Sequence, residues 1–296
     1  MRNIRATFWT SRQALLAVEL AAVAGQPMST NQTNAITVFY RLFRIGLHIL
    51  RGVVTAALVY PLANCQQREH LVRNWSRQLL GILHIQLKVH GDLPPMPAQG
   101  VLLVANHISW ADIFLINSAH PAHFISKAEV RDWPIVGWLS VVIGTFFIER
   151  TRKRDTHRLN HAIQGALKNG KLIAVFPEGT TSDGSKMRHF HTSLLQAAVA
   201  CESLIQPVAI RYLHLDGRIN TAPAYIDDMS MDDSLKRVLG EKNIQAELTF
   251  LPPISSHGKT RRELALEAEA AISSALRLAN PRSDTGTPAD PPAVAQ

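Results

Sequence analysis

His107 and Asp112 stand five positions apart in Asn106-His107-Ile108-Ser109-Trp110-Ala111-Asp112. An imidazole held by a carboxylate can take and return a proton. In a straight helix five steps turn the chain by roughly 500°, about 140° net, so the two would not share a face. They meet if His107 precedes a helix and Asp112 sits in its first turn. Ser109 suits the N-cap of such a helix, and an acid three residues later fits the capping pattern. The helix N-terminus would keep Asp112 anionic. A carboxylate on one ring nitrogen fixes the tautomer and leaves the other nitrogen free to accept a proton. Taken alone, the same residues also read as a helix cap beside a loop histidine.

A second group is Phe176-Pro177-Glu178-Gly179-Thr180-Thr181-Ser182. It follows an expected strand, at the strand end where open α/β sheets place their ligands. Pro and Gly turn the chain sharply, and the amides that follow can converge on an anion. A third is Gly144-Thr145-Phe146-Phe147-Ile148-Glu149-Arg150, an expected strand whose last residue could offer a planar fork to phosphate. The pairs His157/His161 and His189/His191 carry no accompanying zinc motif, so no metal is expected. Cys65 and Cys201 are far apart and form neither a disulfide framework nor a zinc spacing.

These groups lie on alternating strands and helices. Strands are expected over His84 to Gly91, Val101 to Asn106, His123 to Lys127, Val142 to Arg150, Lys171 to Gly179, Leu204 to Leu213 and Ile244 to Leu251. Helices are expected over Gln66 to Leu80, Ile108 to Ile116, Asp155 to Lys168, Thr192 to Glu202 and Arg261 to Leu278. The fold class is therefore α/β, a mixed sheet flanked by helices. Three regions are expected: residues 1–80 as a leader and membrane-associating helical region, 81–279 as the main domain, and 280–296 as a disordered tail rich in Pro, Ala and Asp.

Charge is unevenly placed. The chain of 296 residues is 46% hydrophobic and 18% charged with a net charge of +8. Its isoelectric point is about 9.8 and its mean hydropathy +0.01. Such a balance favours anionic partners. Nucleic acid is disfavoured, because no recognised module or interleaved aromatic pattern accompanies the basic residues. No acid occurs between Glu19 and Glu69, while Ala35 to Tyr60 spaces Arg41, Arg44, His48 and Arg51 by three, four and three among Phe, Leu, Ile and Val. This describes a basic amphipathic helix that lies on an anionic membrane with arginines at the headgroups, or crosses it once at a tilt. Residues 1–30 do not read as a cleaved secretory signal.

In this order and spacing, the His-x4-Asp box, the Gly-x-x-Phe-Ile-x-Arg strand end and the Phe-Pro-Glu-Gly-Thr turn resemble the phospholipid and glycerol acyltransferase family. Pro207-Val208-Ala209-Ile210 resembles its fourth block, and the likeness covers about Val101 to Tyr212. The resemblance implies a glycerol-3-phosphate acyltransferase-like fold and an O-acyltransferase of the 1-acylglycerol-3-phosphate type. His107 would act as base, Asp112 would orient it, and no acyl-enzyme would form, in keeping with the lack of a Gly-x-Ser-x-Gly elbow. It further implies an acceptor site lined by Lys127, Arg150, Glu178, Gly179, Thr180 and Thr181. The implied partners are a lysophospholipid and an acyl donor, either acyl-CoA or acyl carrier protein, with no cofactor, at the cytoplasmic face of a bacterial inner membrane.

Thr181 departs from the lysophosphatidate-specific pattern, which has Arg there. Losing a guanidinium weakens recognition of a phosphate monoester. Phe176 to Gly184 resembles instead a bacterial branch that includes enzymes acylating lyso-ornithine lipid. The expected acceptor is 1-acyl-sn-glycerol 3-phosphate, giving phosphatidate, with lyso-ornithine lipid or another lysolipid as the alternative. An acyl thioesterase or lipid hydrolase, using His107 with water, and a non-catalytic lipid-binding protein are the remaining readings.

Overall fold

The computed structural model describes residues 33–93, 100–148, 153–226, 228–279 and 281. The expected leader, the tail from 282, Arg150 and the Pro-rich connection at 94–99 lie outside the described residues.

In chain order the elements are α1 (Ala35–Val54), α2 (Cys65–Ile82), β1 (Ile85–His90), β2 (Val101–Ala105) and α3 (Asp112–Ala119). Next come β3 (His123–Lys127), α4 (Val136–Val142), β4 (Phe146–Ile148), α5 (Lys153–Lys168) and β5 (Leu172–Val175). The last described elements are α6 (Gln196–Cys201), β6 (Leu204–Leu213), α7 (Met231–Gly240), β7 (Ile244–Phe250) and α8 (Arg261–Leu276). The strands form one seven-stranded mixed sheet in the order β1-β7-β6-β2-β5-β3-β4. Neighbours run parallel except β6 and β7, which are antiparallel.

Strands β2 and β5 are apolar throughout and buried along their whole length, as central parallel strands covered on both faces must be. Their alternate side chains feed two cores. Val101, Leu103 and Ala105 face a layer with Leu79, Leu83, Leu115 and Leu239, from α2, its C-terminal cap, α3 and α7. Leu102 and Val104 face a second layer with Ile163, Leu195, Leu264 and Ile272, which includes α5 and α8. Val101 pairs with Leu172 and Val104 with Val175, so the segments leaving β2 and β5 emerge side by side at the C-terminal edge.

Two strands are shorter than the sequence pattern suggests. The apolar run from Val142 spends its start closing α4, with Thr145 N donating to Ser140 O at 2.9 Å, and among the described residues Phe146–Ile148 pairs with β3. Strand β5 stops at Val175, ahead of Pro177, which has no N–H to donate. The helices α4 and α7 are not marked in the sequence reading; α7 is opened by Ser230, whose side chain caps Asp233 N.

Helix α1 runs on through a π turn at Thr55–Val59 and a 3-10 turn at Tyr60–Leu62. The whole run, Ala35–Leu62, is long and apolar enough to cross a membrane by length and composition. Arg41 and His48 of its polar stripe face the protein, which corrects the expectation that all its arginines meet headgroups. Arg41 is 2% exposed and donates to the carbonyls of Leu239, Glu241 and Lys242 at 2.9, 2.6 and 3.3 Å. His48 is also buried and stacks on Trp75 with ring centroids 4.5 Å apart. Gly52 permits this approach, because a Cβ there would lie 2.6 Å from Trp75 Nε1. Ile36, Phe39, Phe43, Leu47 and Leu50 are exposed on the opposite side. Arg44 and Arg51, also exposed, lie between the two faces at about 100° per residue. Ile45, Leu79 and Leu80 join the same core as the strands, so α1 and α2 share the interior of the sheet domain.

Candidate active site

Asp112 is fully buried as the first residue of α3, and its carboxylate collects four donors. Oδ2 accepts from Ile108 N at 2.7 Å, Ser109 N at 2.9 Å and His107 Nδ1 at 2.8 Å. Oδ1 accepts from Tyr212 Oη at 2.7 Å. Burial and the adjacent Asp112 charge push the Tyr212 phenol well above its ordinary range, so it remains a donor. Hydrogen-bond donors on both oxygens fix the orientation of this buried carboxylate at the helix N-terminus. Only half of the expected capping box forms. Asp112 reaches back to Ser109 N, but the Ser109 hydroxyl accepts from Ala111 N at 3.2 Å, because the helix starts three residues beyond it.

With Nδ1 donating to this anion, Nε2 of the neutral His107 ring keeps its lone pair and has no partner among the described residues. The His107 side chain is 20% exposed, against 0% for Asp112. Phe176 lies parallel to the imidazole, with centroids 4.0 Å apart and planes at 9°, and Phe124 backs Phe176 at 6.0 Å. Both backbone groups of His107 are also held: its N–H donates to Glu178 Oε1 at 2.8 Å and its carbonyl accepts from Ser182 N at 2.9 Å. The ring is fixed from three directions and open at the nitrogen that can accept a proton.

Glu178 is 3% exposed, and its second oxygen accepts from Arg188 N at 2.8 Å. Burial raises its pKa from 4.5 to about 7, with the Asp112 charge adding to the rise and the two backbone N–H bonds opposing it. Its carboxylate is turned inward, onto the backbone that carries the base. Gly179, at φ 72°, completes the turn with its N–H on Phe176 O at 3.1 Å, a conformation that strains any other residue. Thr180 is exposed, whereas the Thr181 hydroxyl donates to the carbonyl of Tyr225, whose own N–H donates to Ile108 O at 3.0 Å. Lys127 is exposed at the C-terminal end of β3, on the same sheet edge. The structure thus brings His107, Asp112, Glu178 and the Gly179–Thr181 turn together and puts Lys127 on their edge, while Arg150 falls outside the described residues.

Sequence reasoning missed Tyr212, Asn106 and the platform role of Phe176. Asn106 bridges β2 to β6, donating to Ile210 O at 2.9 Å and accepting from Ile210 N at 2.8 Å. A polar residue at the end of an apolar strand, directly before the histidine, was its available signal. Tyr212 has no local signal, since its partner is 100 residues away.

Fold and site together define a mixed-sheet α/β protein with a hydrogen-bonded histidine–aspartate pair at the C-terminal edge of its parallel strands. Residues 86–211 match the family model described as Acyltransferase. The chain is 38% identical over 227 residues to the lyso-ornithine lipid O-acyltransferase of Pseudomonas aeruginosa, spanning 77% of this chain and 84% of that one. It is 32% identical over 231 residues to the 1-acyl-sn-glycerol-3-phosphate acyltransferase of Neisseria meningitidis serogroup B, spanning 76% and 87%. The crystal structure of the 1-acyl-sn-glycerophosphate acyltransferase PlsC from Thermotoga maritima superposes with a TM-score of 0.65 at 22% identity, over 82% of this chain and 95% of that one. The chain belongs to the glycerolipid acyltransferase family.

Proposed function

We propose that this protein transfers an acyl group from a thioester donor, acyl-CoA or acyl carrier protein, to the free hydroxyl of a lysolipid. The observation that carries the reading is the His107 ring, with Nδ1 2.8 Å from buried Asp112 and Nε2 open. Nε2 takes the proton of the acceptor hydroxyl as its oxygen attacks the thioester carbonyl. The C–O bond forms, the C–S bond breaks, and the imidazolium returns the proton to the departing thiolate. Asp112 stabilises the transient imidazolium. Transfer is direct, with no acyl-enzyme.

Lyso-ornithine lipid takes first place as acceptor, ahead of the 1-acylglycerol 3-phosphate that the His-x4-Asp family pattern first suggests. Thr181 engages the Tyr225 carbonyl and supplies no cation for a phosphate monoester, and the similarity to lyso-ornithine lipid O-acyltransferases supports the same choice. The similarity to the Neisseria enzyme keeps lysophosphatidate as the second reading. We place the protein at the cytoplasmic face of the bacterial inner membrane, with α1 lying in the interface. Its exposed face is apolar and its buried face is bonded to the domain, which suits a helix seated on the bilayer better than one crossing it. Incubation with a labelled thioester and a panel of lysolipids, products identified, tests the acceptor. Acylated ornithine lipid as the main product is expected, and phosphatidate as the main product would reverse the order.

A further inference from the structure

A second feature adjoins the dyad on its other side. From Met187 to Phe190, the segment after the Phe176–Ser182 turn buries every third side chain. Met187 and Phe190 are buried, while Lys186, Arg188, His189 and His191 are exposed along a cleft of about 640 Å³ that is also lined by Glu178, Gly179, Thr180, Ala279 and Pro281. That volume suits part of a small organic ligand.

The cleft is tied to the reaction centre. One Glu178 carboxylate accepts from His107 N and from Arg188 N, each at 2.8 Å, and His191 N donates to Pro177 O at 2.8 Å. The acids nearby already accept hydrogen bonds from the protein's own donors. Glu178 is taken up by those two amides, buried Glu269 accepts from Phe190 N at 2.9 Å, and Asp183 is bonded by Ser185 N and Oγ at 2.9 and 2.6 Å. Glu269 also lies 3.9 Å from His189 Nδ1. What remains facing the cleft is cationic, with two imidazoles that can add donors.

The cleft also lies on the side of the sheet away from α1. Met187 and Phe190 root it in the core layer shared with α8, whereas Ile45 roots α1 in the opposite layer. A lipid acceptor arrives from the bilayer on which α1 lies, and a water-borne donor from the other side. We propose that this cleft, including the Glu178, Gly179 and Thr180 wall that the family resemblance gives to the acceptor, receives the phosphate-bearing arm of the acyl-thioester donor, with Lys186 and Arg188 pairing to its phosphate oxygens and His189 and His191 donating at the rim. The assignment rests on the acyl-transfer reading above.

The test is steady-state transfer by the full chain and by the K186A/R188A variant, with acyl-CoA and acyl carrier protein as donors in separate arms. Direct binding of coenzyme A to both proteins by calorimetry runs beside it. Both side chains are exposed, so the variant should keep the wild-type melting temperature. Losing two charge-assisted contacts should raise the donor KM and the coenzyme A Kd about tenfold or more, with the acceptor KM unchanged. A rise in the acceptor KM instead would give the cleft to the lipid headgroup, and unchanged donor KM and Kd would remove it from binding; either overturns the proposal. If wild-type protein transfers no acyl group, the acyl-transfer reading fails by itself. Coenzyme A binding then still decides the cleft, supporting it if lost in the variant and overturning it if kept or absent.

Discussion

The Tyr212 hydroxyl donates to Asp112 Oδ1 at 2.7 Å, so the far end of β6 holds the carboxylate that holds the His107 ring. Asp112 thereby has its second oxygen satisfied by a neutral donor buried with it. The carboxylate cannot rotate without breaking a bond at each oxygen. The geometry of the base thus depends on a strand that contributes no group to the reaction.

Tyr212→Phe removes that donor and leaves the ring in place. The expected cost is about 1–2 kcal/mol of stability and about tenfold in kcat, the loss of one hydrogen bond to a buried charge. Neither KM should move, since Tyr212 is 1% exposed and touches no substrate. Urea unfolding and steady-state kinetics check this, and an unaltered kcat would show that Asp112 needs no such support.

Glu178 predicts a pH-dependent stability of definite sign. Its folded pKa of about 7 lies above the ordinary 4.5, so its contribution to stability is fully present below about pH 4.5 and lost as pH rises through 7. At about 1.4 kcal/mol per unit the loss amounts to roughly 3 kcal/mol. Glu178→Gln cannot titrate and leaves an amide N–H facing a backbone N–H. Its urea midpoint should fall furthest below wild type near pH 4.5 and approach it by pH 7. A gap that widens over that range would contradict the assigned direction.

Much of this was legible in the sequence because it is local. The His107–Asp112 pairing follows from a strand end, a loop and a helix start within seven consecutive residues, and the turn at Pro177 and Gly179 follows from the φ preferences of those residues. The order of the strands was not legible, because periodicity marks an element and not its neighbour. The expectation for α1 fails at Arg41 and His48 alone, for a physical reason. An arginine stripe on an apolar helix suggests headgroups, yet carbonyls from the end of α7 and the turn after it, about 200 residues on, satisfy Arg41 equally well. Tyr212 and Asn106 act across strands, where spacing along the chain carries no information.

Arg41→Met tests how α1 is held. It removes three hydrogen bonds to Leu239, Glu241 and Lys242 while keeping an apolar stem, and should cost roughly 2–3 kcal/mol. Limited proteolysis should then cut near Ala63 and Asn64, in the link to α2, faster than in wild type. Equal cutting rates would mean that the His48–Trp75 stack and Ile45 secure the helix without Arg41.

The exposed face of α1 predicts vesicle binding. Phe43 and Leu47 are 57% and 51% exposed, and burying such a side chain is worth about 1.5–3 kcal/mol. Phe43→Asp with Leu47→Asp should therefore reduce flotation with anionic vesicles by at least about a hundredfold in partition coefficient while the melting temperature holds. Undiminished flotation would place the membrane contact elsewhere.

The most direct test of the dyad is thiol release from a labelled acyl thioester, with and without lysolipid, by wild type, His107→Ala and Asp112→Asn. Release by wild type should require the acceptor and match acylated lipid mole for mole. It should fall by about a thousandfold or more in His107→Ala and by a smaller factor in Asp112→Asn, which keeps a group beside Nδ1 but loses the charge. Release that ignores the acceptor would make the protein a hydrolase, and full transfer by His107→Ala would remove His107 from the chemistry.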